Sequence, residues 1–224
     1  MNSEVELSVL TAHSPAVLSG RAIGGVLAAF RRCESKVLYR DADGRHQEFH
    51  IRSGHLESTV VRGTRCFMNL EAVTPALTRY LAPPEFSPAL VDRINLYVSS
   101  PRAGAPLHFD VRTVLIIQLS GTKLWQVATA PAVDEPVHNV VANEAENNAI
   151  HDGCCLELPE EMHFTLLQPG DWLLIPRGTW HATCSQRGSV SATLAMSERV
   201  DRDARLLRLK SAAHVPPKAR RLLC

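Results

Sequence analysis

Two histidines and one aspartate in this chain have the residue types and the spacing of a metal site. His108 and Asp110 are two positions apart, and on a strand their side chains would point to the same face. A second imidazole, His181, follows in the segment Pro-Arg-Gly-Thr-Trp-His. Two histidines and one carboxylate on one face of an ion leave its other positions open, which is typical of non-haem Fe(II) oxygenases.

The segments that carry these residues predict short antiparallel strands. Residues 114–119 form a nearly continuous apolar run, as expected for a strand buried on both sides, and 123–127 return after a turn. Three more strands are predicted at 164–167, 172–175 and 180–185, with proline- and glycine-containing turns between them. Many short strands divided by turns indicate an all-β core, either a sandwich or a barrel.

Two further strands alternate polar and apolar side chains. In residues 93–99, Asn95 and Tyr97 share a polar face, and Ile94 and Leu96 take the other. In the last predicted strand one face carries Ser189, Ser191, Thr193, Ala195 and Ser197. We expect the apolar faces to pack against another layer of the fold and the polar faces to line either solvent or a functional site.

The rest of the chain is predicted to surround this core. Residues 36–70 have the pattern of short strands with a hairpin signal, Asp-Gly, at 43–44. Flanking helices are predicted at 14–30, 74–81 and 200–210, and the aperiodic stretch 130–162 is interpreted as an insertion or lid. The predicted organisation has a covering part at 1–92, a core at 93–199 and a short helix and tail at 200–224.

Composition excludes some classes of function. The chain has 224 residues, 45% of them hydrophobic and 21% charged, with a formal charge of +1. This balance predicts no nucleic-acid partner and no membrane partner, and no apolar stretch approaches the roughly 20 residues of a membrane span. The acidic, polar first residues are unlike a signal peptide.

Six cysteines lie at irregular positions without a Cys-x-x-Cys pair. That pattern favours reduced thiols and a cytoplasmic location. The adjacent Cys154 and Cys155 are kept as an alternative, weaker candidate for a soft metal site.

Three motifs together resemble those of the JmjC-type cupin dioxygenases, and within them the ribosomal-oxygenase group, which hydroxylates histidine or arginine side chains in proteins. The matching segments are HFD, GTKLW and LQPGDWLLIPRGTWHA, preceded by MNLEAVTPAL, so the resemblance covers about residues 66–197. It implies a double-stranded β-helix (a cupin or jelly-roll fold). It also implies Fe(II), 2-oxoglutarate and O2 as cofactor and co-substrates of a hydroxylation.

The resemblance also assigns roles to individual residues. Three match the family's iron ligands, one matches the lysine that binds the distal carboxylate of 2-oxoglutarate, and three match residues that contact the target side chain. In that order they are His108, Asp110 and His181; Lys123; and Asn95, Tyr97 and Ser197. Ala195 departs from the pattern, because the family often has a threonine there that helps to hold 2-oxoglutarate.

Each of these residues also has a simpler interpretation. His108 and Asp110 could be a structural pair, although the downstream His181 motif favours iron binding. Lys123 could be an ordinary turn lysine, since most lysines are exposed. Asn95 and Tyr97 could simply satisfy each other's hydrogen bonds inside the barrel.

The leading functional hypothesis is an Fe(II)- and 2-oxoglutarate-dependent hydroxylase of a peptide or protein side chain. The polar cluster of Asn95, Tyr97 and Ser197 suits an imidazole, so β-hydroxylation of a histidine residue is expected. The short chain, which stops about forty residues after His181, suits a bacterial enzyme that modifies a ribosomally made precursor peptide. A hydroxylase of a free amino acid or small metabolite, and a non-catalytic metal- or ligand-binding cupin, are the alternatives. A homodimer is also considered. It would form without the long C-terminal dimerisation part found in the family.

Overall fold

The structure, a computed structural model, describes residues 10–13, 35–40, 46–51, 63–70, 81, 86–142 and 148–197. These residues are almost all in strands or in the turns between them. The strands are β1 (Leu10–His13), β2 (Ser35–Arg40), β3 (His46–Ile51), β4 (Thr64–Phe67), β5 (Val91–Ser99), β6 (His108–Phe109), β7 (Val114–Gly121), β8 (Lys123–Ala128), β9 (Val140–Val141), β10 (Asn148–His151), β11 (Cys154–Glu157), β12 (Met162–Leu167), β13 (Asp171–Ile175), β14 (His181–Cys184) and β15 (Ser189–Met196). A 3-10 turn, Pro88–Leu90, leads into β5.

Two antiparallel sheets make up the core. The major sheet has eight strands in the order β1-β13-β7-β15-β5-β4-β2-β3, and the minor sheet has five in the order β12-β8-β14-β6-β9. Strands β10 and β11 form a separate hairpin. This arrangement confirms the predicted all-β core, and β2 pairs with β3 across the predicted hairpin turn.

The predicted helices and the hairpin signal at 43–44 lie outside the described residues. Leu81 is the exception, since this last residue of the second predicted helix is helical and buried.

Strand β7 packs on both of its faces, which explains its continuous apolar run. Leu115 and Ile117 belong to a core on one face of the major sheet, together with Trp172, whose ring meets Phe86 edge-on at 5.2 Å between centroids. Ile116, on the opposite face, belongs to a second core that the major and minor sheets share. A strand that packs on both faces has no polar side, and burying each such side chain stabilises the fold by about 1.5–3 kcal/mol.

Strands β5 and β15 are apolar on only one face. Ile94, Leu96, Ala192 and Leu194 join the first core. Their alternating neighbours, including Ser191, face the space between the sheets, as the sequence pattern predicted. A polar stripe therefore crosses the inner face of the major sheet.

The predicted insertion at 130–162 contains β9 and the β10–β11 hairpin. It is docked on the barrel, because Val140 and Ala149 pack with Phe109 and Trp180 in a third core cluster. Its role as a lid stays a prediction.

The cysteines depart from the expectation of reduced thiols. Cys184 is disulfide-bonded, whereas Cys66, Cys154 and Cys155 are free. In the described part of the chain, no helix is long and apolar enough to cross a membrane.

The backbone of Gly178 contacts the backbone of Asp110, one of the residues proposed above as metal ligands. The Gly178 backbone is left-handed, with φ of 70°, and a Cβ there would lie 1.8 Å from the carbonyl oxygen of Val133. Its N–H donates to the carbonyl of Asp110 at 2.9 Å, and its carbonyl accepts from the N–H of Ala132 at 2.9 Å. Only glycine fits this junction without displacing backbone.

We expect Gly178→Ala to lower the free energy of unfolding by about 2–4 kcal/mol, from left-handed strain plus overpacking. Urea unfolding measures this change. Gly153→Ala is the matched control, since Gly153 has φ of 74° but nothing within 4 Å of its Cβ position. It should cost only about 1–2 kcal/mol of strain. Equal losses in the two variants would show that the contact with Val133 is unimportant.

Candidate metal centre

The structure brings together all three residues proposed as metal ligands. His108 on β6 lies directly opposite His181 on β14 in the antiparallel register, with ring centroids 4.2 Å apart. Nε2 of His181 is 3.6 Å from Oδ2 of Asp110. One ligand atom from each of the three lies within 4.8 Å of the others, so the group could hold a single ion.

Asp110 reaches this position from outside a strand. Strand β6 ends at Phe109, so the alternation argument does not extend to Asp110. Two backbone contacts place it instead: the N–H of Gly178 donates to the Asp110 carbonyl at 2.9 Å, and the N–H of Val111 donates to Oδ1 of Asn139 at 2.8 Å. Turns, rather than the pleat of β6, therefore aim the carboxylate.

Both imidazoles are oriented by backbone carbonyls two residues earlier. Nδ1 of His108 lies 2.7 Å from the carbonyl oxygen of Pro106, and Nδ1 of His181 lies 2.9 Å from that of Thr179. A carbonyl only accepts, so each Nδ1 carries the proton and each Nε2 keeps its lone pair. Fixing the tautomer in this way is the usual support for a metal-bound histidine.

Burial keeps His181 neutral. The pKa of His181 is lowered from 6.5 to about 4, first by burial and then by the neighbouring His108, against smaller opposite effects of Asp110 and the Thr179 carbonyl. The ring of Trp125 stacks on that of His181 at 6.0 Å. The neutral lone pair of His181 is thus available to a cation near neutral pH.

The three ligands line a cavity of about 170 Å³ between the two sheets. Its walls mix apolar side chains, such as Ile116 and Val140, with a few polar groups. A largely apolar cavity with convergent polar groups is the usual form of a small-molecule site.

Lys123 is the buried cation of this cavity. It is 2% exposed, its Nζ donates to Oγ of Ser191 at 3.0 Å, and it lies 5.9 Å from the centroid of the Tyr97 ring. Burial lowers the pKa of Lys123 from 10.5 to about 8. No carboxylate of the described residues forms an ion pair with it, so an anionic ligand in the cavity could neutralise this ammonium.

Of the three residues proposed to contact the target side chain, Tyr97 lies in the cavity wall. Asn95 is two residues earlier on the same strand. Its Oδ1 accepts the N–H of Asn69 at 3.2 Å. Among the described residues, the cavity wall includes Tyr97 but not Asn95, and contact of Asn95 with a substrate stays a prediction.

Ser197 follows an irregularity in β15. The register with β5 shifts between Ala195 and Met196, so strict alternation of faces ends there. The N–H of Ser197 donates to the carbonyl of Leu90 at 2.7 Å, and its Oγ is buried without a hydrogen-bond partner in the described part of the chain. Ser197 is not among the described residues of the cavity wall, and its substrate role also stays a prediction.

Several wall residues were not singled out by the sequence. Ser191 and Thr193 come from the polar face of β15, which the alternation had marked without choosing among its members. Thr64, Lys36 and Glu48 come from β4, β2 and β3, and only the sheet order shows that these strands extend the same wall. Lys36 and Glu48 form an ion pair of 2.9 Å. No sequence signal connected these strands with the metal motif.

The donor set fits a first-row divalent ion. Two neutral imidazole nitrogens and one carboxylate are nitrogen and oxygen ligands suited to such ions, and three ligands leave further positions open toward the cavity. The alternative pair Cys154–Cys155 is exposed on β11, and no described residue completes a three-ligand group with it.

Comparison with known proteins bears on the core and the motifs. A family model described as JmjC domain matches residues 84–203. The Bacillus subtilis protein YxbC is 28% identical over 122 residues, which cover 51% of this chain and 37% of the relative. Ribosomal oxygenase 1 of Homo sapiens is 34% identical over 104 residues, covering 46% of this chain and 15% of that protein. The chain therefore spans well under half the length of these curated relatives.

A solved structure of YcfD, a ribosomal oxygenase from Escherichia coli in complex with cobalt and 2-oxoglutarate, has the same fold. It superposes with a TM-score of 0.56 at 19% identity, covering 95% of this chain and 57% of that one. This likeness confirms the predicted cupin-type, double-stranded β-helix core.

For the metal-free protein, we expect the free energy of unfolding to fall as pH drops from about 6.5 to about 4. The unfolded chain takes up a proton on His181 in this window, and the folded chain does not, so acid favours unfolding by an amount of the order of 3 kcal/mol. Urea unfolding at stepped pH measures it. His181→Gln should flatten the pH dependence, whereas His163→Gln, at an exposed position, should leave it unchanged. A flat profile in the unaltered protein would contradict the burial argument.

Proposed function

The chain belongs to the JmjC domain family, and from that premise we propose that it is an Fe(II)- and 2-oxoglutarate-dependent dioxygenase that hydroxylates a side chain of a peptide or protein. One observation carries the proposal. A two-histidine, one-carboxylate group and a buried lysine without a carboxylate partner among the described residues line the same cavity. The three-ligand group alone would indicate only a metal ion, and the buried lysine alone would indicate only an anion. Together in one cavity they indicate both.

His108, Asp110 and His181 would hold the iron. The carbonyls of Pro106 and Thr179 keep the two imidazoles in the tautomer that offers Nε2, so no reorganisation of these rings is needed for binding. When bound, Fe(II) would supply the activation of dioxygen, coupling decarboxylation of 2-oxoglutarate to succinate with oxidation of a C–H bond.

Lys123 would bind the far carboxylate of 2-oxoglutarate. Within the described part of the chain its ammonium donates to Ser191, and a carboxylate could accept its other N–H groups. The Ser191 hydroxyl, which accepts from Lys123, can donate its own hydrogen to the same carboxylate. Ser191 would thus help to hold the co-substrate in a chain that has Ala195 where the family often has a threonine.

The walls of the cavity would shield the reaction. Ile116, Trp125, Val114 and Val140 present apolar surface around the polar groups. Excluding water strengthens the charged interactions of Lys123 and of the metal ligands, and prevents the oxidant from being spent without substrate.

The relatives support the same chemistry. The YcfD structure contains cobalt and 2-oxoglutarate, and a Drosophila willistoni relative is described as a bifunctional lysine-specific demethylase and histidyl-hydroxylase. We extend the proposal to a histidine residue as the target, β-hydroxylated in a ribosomally made precursor peptide in the cytoplasm. The support for this finer step is the polar wall around Tyr97, which suits an imidazole.

The proposal predicts succinate formation and a peptide that gains one oxygen atom. With Fe(II), 2-oxoglutarate and air, tiled histidine-containing peptides should stimulate succinate release, and mass spectrometry should locate the oxygen on a side chain. Asp110→Ala should abolish both signals and lower divalent-ion affinity in calorimetry by at least about a hundredfold, since one ligand of three is lost. Asp92→Ala, at an exposed ion pair with Arg112, is the control. Full activity of Asp110→Ala would refute the proposed metal role.

Lys123→Met should weaken 2-oxoglutarate binding by about 10- to 100-fold, because charge-assisted hydrogen bonds are lost. Calorimetry with Mn(II) in place of iron measures this without turnover. For the unaltered protein the affinity should fall as pH rises through about 8, where the ammonium of Lys123 loses its proton. Arg112→Met removes a cation paired with Asp92 outside the cavity wall and should leave the affinity unchanged. Unaltered binding in Lys123→Met would place the co-substrate elsewhere.

A further inference from the structure

The cavity wall carries a second lysine, Lys36, which is paired with Glu48. Lys36 on β2 and Glu48 on β3 both line the cavity, and Nζ of Lys36 lies 2.9 Å from Oε2 of Glu48. Apart from Lys123 and the metal ligands, these two are the charged residues in the described part of this wall. The function proposed above uses neither of them.

This ion pair lies where the cavity meets solvent. The side chain of Lys36 is 27% exposed and that of Glu48 is 38% exposed, whereas Lys123 is 2% exposed. A ligand that enters past β2 and β3 therefore meets the pair before it meets Lys123. Asn139 and Val141 of the same wall are also exposed but carry no charge.

A row of directly opposed residues connects Lys36 with the buried lysine. In the antiparallel register Lys36 lies opposite Cys66 on β4, which lies opposite Tyr97 on β5. Tyr97 in turn lies opposite Ser191 on β15, whose Oγ accepts from Nζ of Lys123 at 3.0 Å. Opposed residues share one face of a sheet, so the row follows the inner face. Three strand spacings, about 14 Å, separate its two ends.

We propose that Lys36 and Glu48 form a charge-paired entrance, which admits the dicarboxylate co-substrate and passes it along this wall to Lys123. This inference rests on the proposed function and adds the route by which 2-oxoglutarate reaches its site. Lysine suits such an entrance, since its ammonium is a compact charge on a flexible stem and can leave one carboxylate to meet another.

The two charges of the pair have opposite effects on a dianion. A carboxylate alone at the entrance would repel it, and an ammonium alone would hold it there, far from Lys123. At 2.9 Å from each other, the charges of Lys36 and Glu48 largely cancel for a more distant ion. Lys123, which has no carboxylate partner among the described residues, then attracts the dianion inward.

Opposite effects of two neutral substitutions test this entrance. Lys36→Met removes the cation beside Glu48, so the association rate constant of 2-oxoglutarate should fall by about three- to tenfold at low ionic strength. Glu48→Gln removes the anion beside Lys36, so the same rate constant should rise by a similar factor. The double variant should return close to the unaltered protein.

Stopped-flow mixing of the Fe(II)-loaded protein with 2-oxoglutarate, without oxygen, measures these rates through the visible absorbance of the 2-oxo acid bound to iron. An entrance acts on association and dissociation together, so the Kd should change by less than about twofold, unlike the loss expected for Lys123→Met. Added salt should bring the rates of the variants together, since it screens exposed charges.

Arg112→Met and Asp92→Asn are the matched controls. Their exposed ion pair, of 2.8 Å, is not part of the described cavity wall, so neither substitution should change the association rate. Thermal melts show that each variant is folded.

Three results would overturn the inference: rate changes of the same sign in Lys36→Met and Glu48→Gln, no change in either, or a change confined to dissociation. A protein that binds no 2-oxoglutarate would instead refute the proposed function, and the entrance with it. The two failures are thus distinguishable, because the first leaves co-substrate binding intact.

Discussion

The antiparallel register of β6 and β14 places His108 directly opposite His181, and the site depends on that pairing. Cross-strand neighbours are held by backbone hydrogen bonds and not by the attraction of their side chains, so two imidazoles can stay in contact with no ion between them. Strand β14 is itself held on its other side by β8, which carries Lys123. The backbone of the minor sheet therefore sets the distance between the two histidines and the buried cation.

Burying Lys123 between two largely apolar sheets lowers the stability of the fold. A lysine that is 2% exposed, with one serine as its hydrogen-bond partner, loses most of its hydration without an ion pair in the described residues. The surrounding apolar cores offset that cost, above all the doubly packed strand β7 and the cluster around Trp172. The protein keeps an uncompensated charge where an anionic ligand would neutralise it, as is common at functional sites.

Much of the core could be predicted from the sequence because its signals are local. The apolar run of β7, the alternation in β5 and β15 and the turns around β13 each fix a strand within a few residues, and the structure confirms them. Other features depend on long-range or irregular geometry. Asp110 is aimed by Gly178, nearly seventy residues later in the chain, and the register shift after Ala195 ends the alternation that had placed Ser197. Thr64 and Lys36 became relevant only when the sheet order set β4 and β2 beside β5.

The two sheets differ in their number of strands and contribute different residues to the cavity. The five-stranded sheet carries the two histidines and Lys123, whereas β4, β2 and β3 continue the eight-stranded sheet past β5 and contribute Thr64, Lys36 and Glu48 to the far wall. Substitutions in that extension can reshape the chamber while the ion-binding register stays untouched. Related proteins with this layout could therefore differ in the molecules they accept while keeping the same arrangement of metal ligands.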